Sequence, residues 1–254
     1  MNRASKFTGL KCDSMTIKAV IFDLDGTITA FNLDYMTIRS EVRGFLIRAG
    51  VPASVLFVNE SIFDMLNKTE IFMKNSGKSP RALNKVRNEV LAIAERHELE
   101  AAKTTSLLPS VVETLKTLKE MGLKIGLCTV NSEKSANYIL KRFGIADFFD
   151  AVIPRNKVKR VKPSSEHLEA VLKVLKVSPK EALLVGDATR DMECARELKV
   201  MAAGLSTGVS TQKELMDAGA NYLITSIADL PSLVKTTKMV ARQNLKRYAN
   251  LTSS

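Results

Sequence analysis

Asp23 and Asp25 stand two apart in FDLDGT, directly after a β-branched run. On extended backbone, side chains two apart point the same way, so both carboxylates can approach one point. Gly26 permits a sharp turn behind them, and Thr27 can cap or hold the loop. A second acidic pair, Asp187 and Asp191, lies four apart in GDATRD. Four gathered carboxylates repel one another unless a cation intervenes, and Mg²⁺, a hard oxygen-liganded ion, is the economical resolution. Lys162, in VKPSS, can offset the acids and grip a phosphoryl oxygen, while Thr129 and Asn131 in CTVNS offer hydroxyl and amide donors. Each feature alone has a plainer meaning: a turn that satisfies amides, a helix-capping aspartate, a solvated lysine. Their joint occurrence favours chemistry.

Together these residues describe a phosphoryl-transfer site. Asp23 would attack phosphorus in line and form an aspartyl-phosphate. Asp25 would protonate the leaving oxygen, then deprotonate the water that hydrolyses the intermediate. Mg²⁺ among Asp23, Asp25, Asp187 and Asp191 would neutralise charge on the equatorial oxygens, and Lys162 and Thr129 would add electrostatic stabilisation.

The surrounding pattern predicts the scaffold such a site needs. A strand at 17–22 leads into the first aspartates. From Phe31 to Thr105 the apolar spacing is helical, with helices expected over Tyr35–Ala49, Ser54–Asn75 and from Ser79-Pro80 onward. From Pro109 helix and strand alternate: strands KIGLCT, AVIP, ALLVGD, VMAAGL and NYLI, with helices between them. Alternation of this kind builds an α/β fold, a Rossmann-like parallel sheet with helices on both faces. Residues 31–104 are then an inserted α-helical cap, and the catalytic core consists of 15–30 and 105–234. Residues 1–14 are expected to be a flexible extension and 235–254 a basic tail or helix. Ligands of open parallel sheets sit at the carboxyl ends of the strands, where all the polar residues singled out above fall.

Composition narrows the classes further. The 254 residues are 45% hydrophobic and 26% charged, which excludes disorder as the main state. No stretch approaches the roughly 20 apolar residues of a bilayer span. A soluble cytoplasmic protein, monomer or homodimer, acting on a small phosphorylated metabolite is the expectation. Cys12, Cys128 and Cys194 form no CxxC pair and are expected to be reduced thiols, the last two packed as small apolar residues. The formal net charge is +11, yet residues 235–254 hold five cations and no acid, and Arg155–Lys162 hold five more. That distribution makes nucleic acid an unlikely partner and favours a local anionic ligand. A binding protein using its basic ends for nucleic acid is the alternative from another class. Among cap residues, Arg39, Arg43, Lys68, Lys74, Lys78, Arg81 and His97 are possible substrate contacts, each read more simply as a solvated helix residue.

The sequence resembles the haloacid dehalogenase superfamily of phosphatases. FDLDGT is similar to its first motif, CTVNS to its second, Lys162-Pro163 to its third and VGDATRD to its fourth. The resemblance covers residues 17–30 and roughly 105–234, and the helical insertion is similar to the cap of one subgroup, implying a lid over the site. STGVSTQKELMDAGANYLI also resembles the end of phosphoglycolate-phosphatase-like members. Asp25 argues against dehalogenases and phosphonate-cleaving relatives, which lack that acid. The resemblance implies a Mg²⁺-dependent phosphomonoesterase for phosphoglycolate or a sugar phosphate, with a sugar-phosphate mutase as the alternative enzyme.

Overall fold

The computed structural model describes residues 16–237. The expected N-terminal extension, Cys12 and all but the first three residues of the basic tail lie outside the described residues.

The strand after the N-terminus, β1 (Ala19–Phe22), is wholly buried and feeds directly into Asp23. Four α-helices precede the next strand, and the first three are α1 (Tyr35–Arg48), α2 (Ile62–Asn75) and α3 (Pro80–Thr104). Asp34 starts α1 by accepting from the Thr37 amide at 3.0 Å. Ser79 and Pro80 open α3 as the sequence suggests, with Ser79 Oγ accepting from the Ala82 amide at 3.3 Å. The second helix differs from expectation. It begins at Ile62 rather than Ser54, because the chain after Pro52 forms a single 3₁₀ turn at Ala53–Val55. The Phe57 amide then donates to Glu60 Oε1 at 2.5 Å, and Ser61 supplies the true cap, accepting from the Asp64 amide at 3.1 Å.

Helix and strand then alternate through α4 (Val111–Glu120), β2 (Lys124–Thr129), α5 (Glu133–Arg142), β3 (Ala151–Pro154) and α6 (Ser165–Leu175). They continue with β4 (Ala182–Gly186), α7 (Thr189–Leu198), β5 (Met201–Leu205), α8 (Gln212–Ala218) and β6 (Tyr222–Ile224). The six strands form one parallel sheet in the order β3-β2-β1-β4-β5-β6.

Side-chain alternation along β1 assigns the two faces. Val20 and Phe22 pack with Leu115 and Leu118 of α4 and Ile139 of α5; Ala19 and Ile21 pack with Leu168 of α6, Met192 of α7 and Leu215 of α8. Each fully buried aliphatic side chain contributes about 1.5–3 kcal/mol relative to exposure. The helical insertion has a core of its own, in which Ile38, Val42 and Leu46 of α1 meet Met65 and Leu66 of α2 and Val90 of α3. Cys128 and Cys194 are buried free thiols, as expected. No helix among the described residues is long and apolar enough to cross a membrane.

The chain order reverses at β1, which has β2 on one side and β4 on the other. The carboxyl ends of these three central strands therefore form a crevice, and they carry Asp23, Thr129 and Asp187.

Candidate active site

Three carboxylates converge in this crevice. Asp23, Asp187 and Asp191 each offer an oxygen within 4.8 Å of the others, and all three residues are buried. Asp23 is delivered by β1, its amide tied to Val185 O at 2.9 Å. Asp187 follows β4, and its Oδ2 accepts from the Val209 amide at 2.9 Å. Backbone must come close to hold it. A Cβ on Gly26, whose φ is +79°, would stand 2.2 Å from Asp187 Oδ2, and one on Gly208 would meet the same atom at 2.2 Å. Asp191, in the first turn of α7, accepts from the Ala188 amide through Oδ2 at 3.2 Å.

Lys162 lies at the centre of the group. Its Nζ donates to Asp23 Oδ1 at 2.8 Å and to Asp191 Oδ1 at 2.5 Å. Burial alone would lower this lysine's pKa, but Asp191 and Asp23 outweigh it and hold the ammonium above its ordinary value. The acids respond in the other sense. Burial, then Asp23 and Asp191, push Asp187 up to about 7, and burial also raises Asp191.

Asp25 departs from the expected arrangement. Its carboxylate is not part of the three-acid group; Oδ2 instead accepts from Asn131 Nδ2 at 2.8 Å and Oδ1 from Thr29 Oγ1 at 3.2 Å. Gly26 turns the chain between them, and its amide bonds back to Thr29 O at 2.7 Å. Burial first, then the neighbouring Asp23 charge, raise Asp25 to about 6. The Thr129 hydroxyl, at the end of β2, accepts locally from the Asn131 amide at 3.1 Å. A cavity of about 10 Å³ beside Asp25 and Asn131 has room for at most one water.

Two oxygens test whether a cation belongs here. Asp23 Oδ2 and Asp187 Oδ1 are buried and have no hydrogen-bond partner, whereas both oxygens of Asp191 are engaged. Unpartnered, buried carboxylate oxygens facing one another are costly unless a cation joins them. The donor set, all carboxylate, suits a hard divalent ion.

Several site neighbours gave no usable signal in the sequence. His167 on α6 donates from Nε2 to Ile153 O at 2.9 Å, which leaves Nδ1 to accept from the Lys162 amide at 3.4 Å. Burial, then Lys162, depress this imidazole to about 4, so it is neutral and fixes the lysine's backbone. Arg155 belongs to the basic run expected to favour a local anionic ligand. It is instead buried, and its guanidinium pairs with Glu98 of α3. Arg190, inside GDATRD, and Tyr35, at the start of α1, lie near the same acids. The insertion's other basic residues largely follow the bland reading: Lys68 pairs with Glu60 at 2.6 Å, Lys74 with Glu70 at 2.6 Å, and His97 with Glu41 at 2.8 Å. Arg43 donates to Leu56 O at 3.0 Å.

Comparison with known proteins decides the family. Residues 20–205 match the haloacid dehalogenase-like hydrolase family model. This chain belongs to the haloacid dehalogenase-like hydrolases. It is 25% identical over 224 residues to the pyrophosphatase PpaX of Halalkalibacterium halodurans, covering 87% of this chain and 98% of that protein. The Bacillus anthracis PpaX is 27% identical over 219 residues, with 85% and 95% covered. A haloacid dehalogenase-like hydrolase of Bacteroides fragilis superposes with a TM-score of 0.60 at 26% identity, covering 85% of this chain and 100% of that one. A predicted phosphoglycolate phosphatase from Haemophilus somnus shares the fold, with a TM-score of 0.58 at 19% identity and 85% and 97% covered.

Proposed function

We propose that this haloacid dehalogenase-like hydrolase is a Mg²⁺-dependent phosphatase that cleaves a small phosphorylated metabolite through an aspartyl-phosphate on Asp23. The observation that carries this reading is the pair of buried, unpartnered oxygens on Asp23 and Asp187, beside a lysine already bonded to Asp23. Asp23 attacks phosphorus through its carboxylate, forming the acyl phosphate as the leaving oxygen departs, with Lys162 bonded to Oδ1. The Lys162 ammonium, kept charged by Asp23 and Asp191, remains beside the nucleophile as the phosphoryl group transfers. Asp23 and Asp187 would hold the Mg²⁺, with Asp191 orienting Lys162. When bound, the cation supplies charge neutralisation for the phosphoryl oxygens. Asp25 stands apart from the acids that would ligate metal, which suits a proton carrier better than a fourth ligand. At about 6, its carboxyl is protonated often enough to donate to the leaving oxygen and basic enough to take a proton from water. Asn131 positions it through the 2.8 Å bond.

Phosphoglycolate and sugar phosphates remain the leading substrates, and the PpaX relatives add pyrophosphate to the set. The test is phosphate release from these compounds and from p-nitrophenyl phosphate, with Mg²⁺ and with EDTA, beside Asp23→Asn. Release that needs both the metal and Asp23, with a fall of roughly 10³-fold or more in the variant, is the expected result. Full activity of Asp23→Asn would remove the nucleophile assignment.

A further inference from the structure

Arg190 and Tyr35 come from opposite sides of the crevice. Arg190 is the second residue of α7 in the sheet domain, and Tyr35 is the first residue of α1 in the helical insertion. They are near enough for each to perturb the other's ionisation, and both sense Asp23. Yet Arg190 Nε and Tyr35 Oη are buried without a hydrogen-bond partner. The Tyr35 ring is held from one side by Phe31, stacked at 5.2 Å between centroids. From another side the Arg39 guanidinium lies 5.8 Å from the ring centroid, and Arg39 Nε is likewise buried and unpartnered. Arg190 and Tyr35 thus meet beside the nucleophile from two parts of the molecule, the guanidinium having the Tyr35 hydroxyl beside it and no carboxylate partner, with Arg39 against the Tyr35 ring.

The simplest role for a cation here is charge balance, and Lys162 shows what that looks like: direct bonds to Asp23 and Asp191. Arg190 makes no ion pair with any carboxylate among the described residues, although it is the immediate neighbour of Asp191. A guanidinium that sits next to acids, pairs with none of them, leaves Nε unpartnered and has the neutral Tyr35 hydroxyl beside it is placed for an incoming anion. That anion is not the transferring phosphoryl group alone, because Lys162 already serves the nucleophile.

We propose that Arg190 and Tyr35, flanked by Arg39, determine specificity by binding a second anionic group of the substrate, a phosphate or carboxylate close to the scissile phosphate. The proposal rests on the phosphatase reading above. The closeness of Arg190 to Asp23 restricts the substrate to compact dianions such as pyrophosphate or phosphoglycolate, in which the second charge follows the bridging oxygen within a few bonds. Because Tyr35 belongs to the insertion and Arg190 to the sheet domain, such a substrate would be gripped by both at once.

The test compares kcat/KM for pyrophosphate and for phosphoglycolate with kcat/KM for p-nitrophenyl phosphate, which carries no second anion. In Arg190→Gln the ratio of either compact dianion to p-nitrophenyl phosphate should fall by about 10–100-fold, mostly through KM, as expected for losing a charge-assisted hydrogen bond. Arg190→Lys should recover part of the ratio, and Tyr35→Phe should lower it by a smaller factor. The compound whose ratio falls further identifies the second group as phosphate or carboxylate. Equal losses on all substrates would overturn the proposal, since a structural arginine affects every substrate alike. Binding of pyrophosphate and of inorganic phosphate to Asp23→Asn protein, with and without Arg190→Gln, gives a readout that does not need turnover. A selective loss of pyrophosphate affinity supports the proposal even if no phosphate is released, in which case only the phosphatase reading falls. No selective loss in binding overturns it.

Discussion

Two buried clusters of charge lie side by side in this protein, and they are finished differently. In the first, Arg155 reaches from the end of β3 to α3 of the insertion, where Nη1 donates to Glu98. The same nitrogen bonds Val130 O at 3.0 Å, Nη2 bonds Leu91 O at 3.2 Å, and Glu98 Oε2 accepts from the Ser132 amide at 2.9 Å. Apart from Arg155 Nε, every polar atom of the pair has a partner. In the second cluster Lys162 satisfies half of Asp23, while Asp23 Oδ2 and Asp187 Oδ1 face the crevice unpaired. The first cluster joins the insertion to the loops after β2 and β3. The second is incomplete until a ligand arrives. Burial and charge alone would have ranked the two alike; the unpaired atoms separate structure from chemistry.

Asp25 borders both clusters and offers the largest effect with which to break this comparison. Replacing it by Asn keeps the shape and removes the proton carrier. Phosphate release from an alkyl phosphate, whose leaving oxygen needs a proton, should fall by about 10²–10⁴-fold. Release from p-nitrophenyl phosphate, which leaves well without one, should fall less. The pH dependence has a definite sign. Burial and Asp23 raise the Asp25 carboxyl to about 6, so its acid form is lost as pH rises through that value. Phosphoryl transfer from an alkyl phosphate to Asp23 should therefore decline above about pH 6 in pre-steady-state measurements. A flat profile for that step, or an unimpaired Asp25→Asn, would return Asp25 to the structural side.

The same contrast explains what was legible in the sequence. Asp23, Lys162, Asp187 and Asp191 sit at strand ends in short motifs whose spacing reflects local backbone, and the parallel sheet follows from alternating patterns. The convergence of three acids, two of them bonded to one lysine, was accessible for that reason. Strand periodicity aligns Asp25 with Asp23, but it stops at Gly26, where the chain turns back to Thr29, and the Asp25 carboxylate meets Asn131 and Thr29 instead of the three-acid group. The start of α2 was missed for a similar reason: the turn closed by Glu60 defers the helix to Ser61, and helical periodicity does not report side chains that cap turns. Arg155, Glu98, His167 and Tyr35 were opaque. Their roles depend on contacts across 57 residues for the Arg155–Glu98 bond and 14 for His167–Ile153, and no local pattern encodes such partners.

The satisfied cluster makes its own prediction, in stability rather than rate. Arg155→Met leaves Glu98 buried and uncompensated, and should destabilise the protein by about 3–5 kcal/mol in urea unfolding. Combining it with Glu98→Leu should cost clearly less than the sum of the two single changes, because the second change removes the stranded charge. Additive losses would mean that the pair does not act as a unit.

The smallest effect belongs to an ion pair that shares the geometry of these clusters without their burial. Lys119 Nζ bonds both oxygens of Asp150, at 2.9 and 3.0 Å, but the two side chains are 35% and 37% exposed. Water and salt already serve such charges, so Lys119→Ala should cost less than about 1 kcal/mol. Asp150 has a further duty, since its Oδ2 accepts from the Ile125 amide at 2.7 Å at the start of β2. Asp150→Ala should therefore cost more, about 1–3 kcal/mol, because it strands a part-buried backbone donor at the sheet's entry. Thermal unfolding of the two variants measures this asymmetry directly. A larger loss from Lys119→Ala than from Asp150→Ala would mean that the ion pair itself, rather than the partner left unsatisfied, carries the energy, and the distinction between the two buried clusters would lose its physical basis.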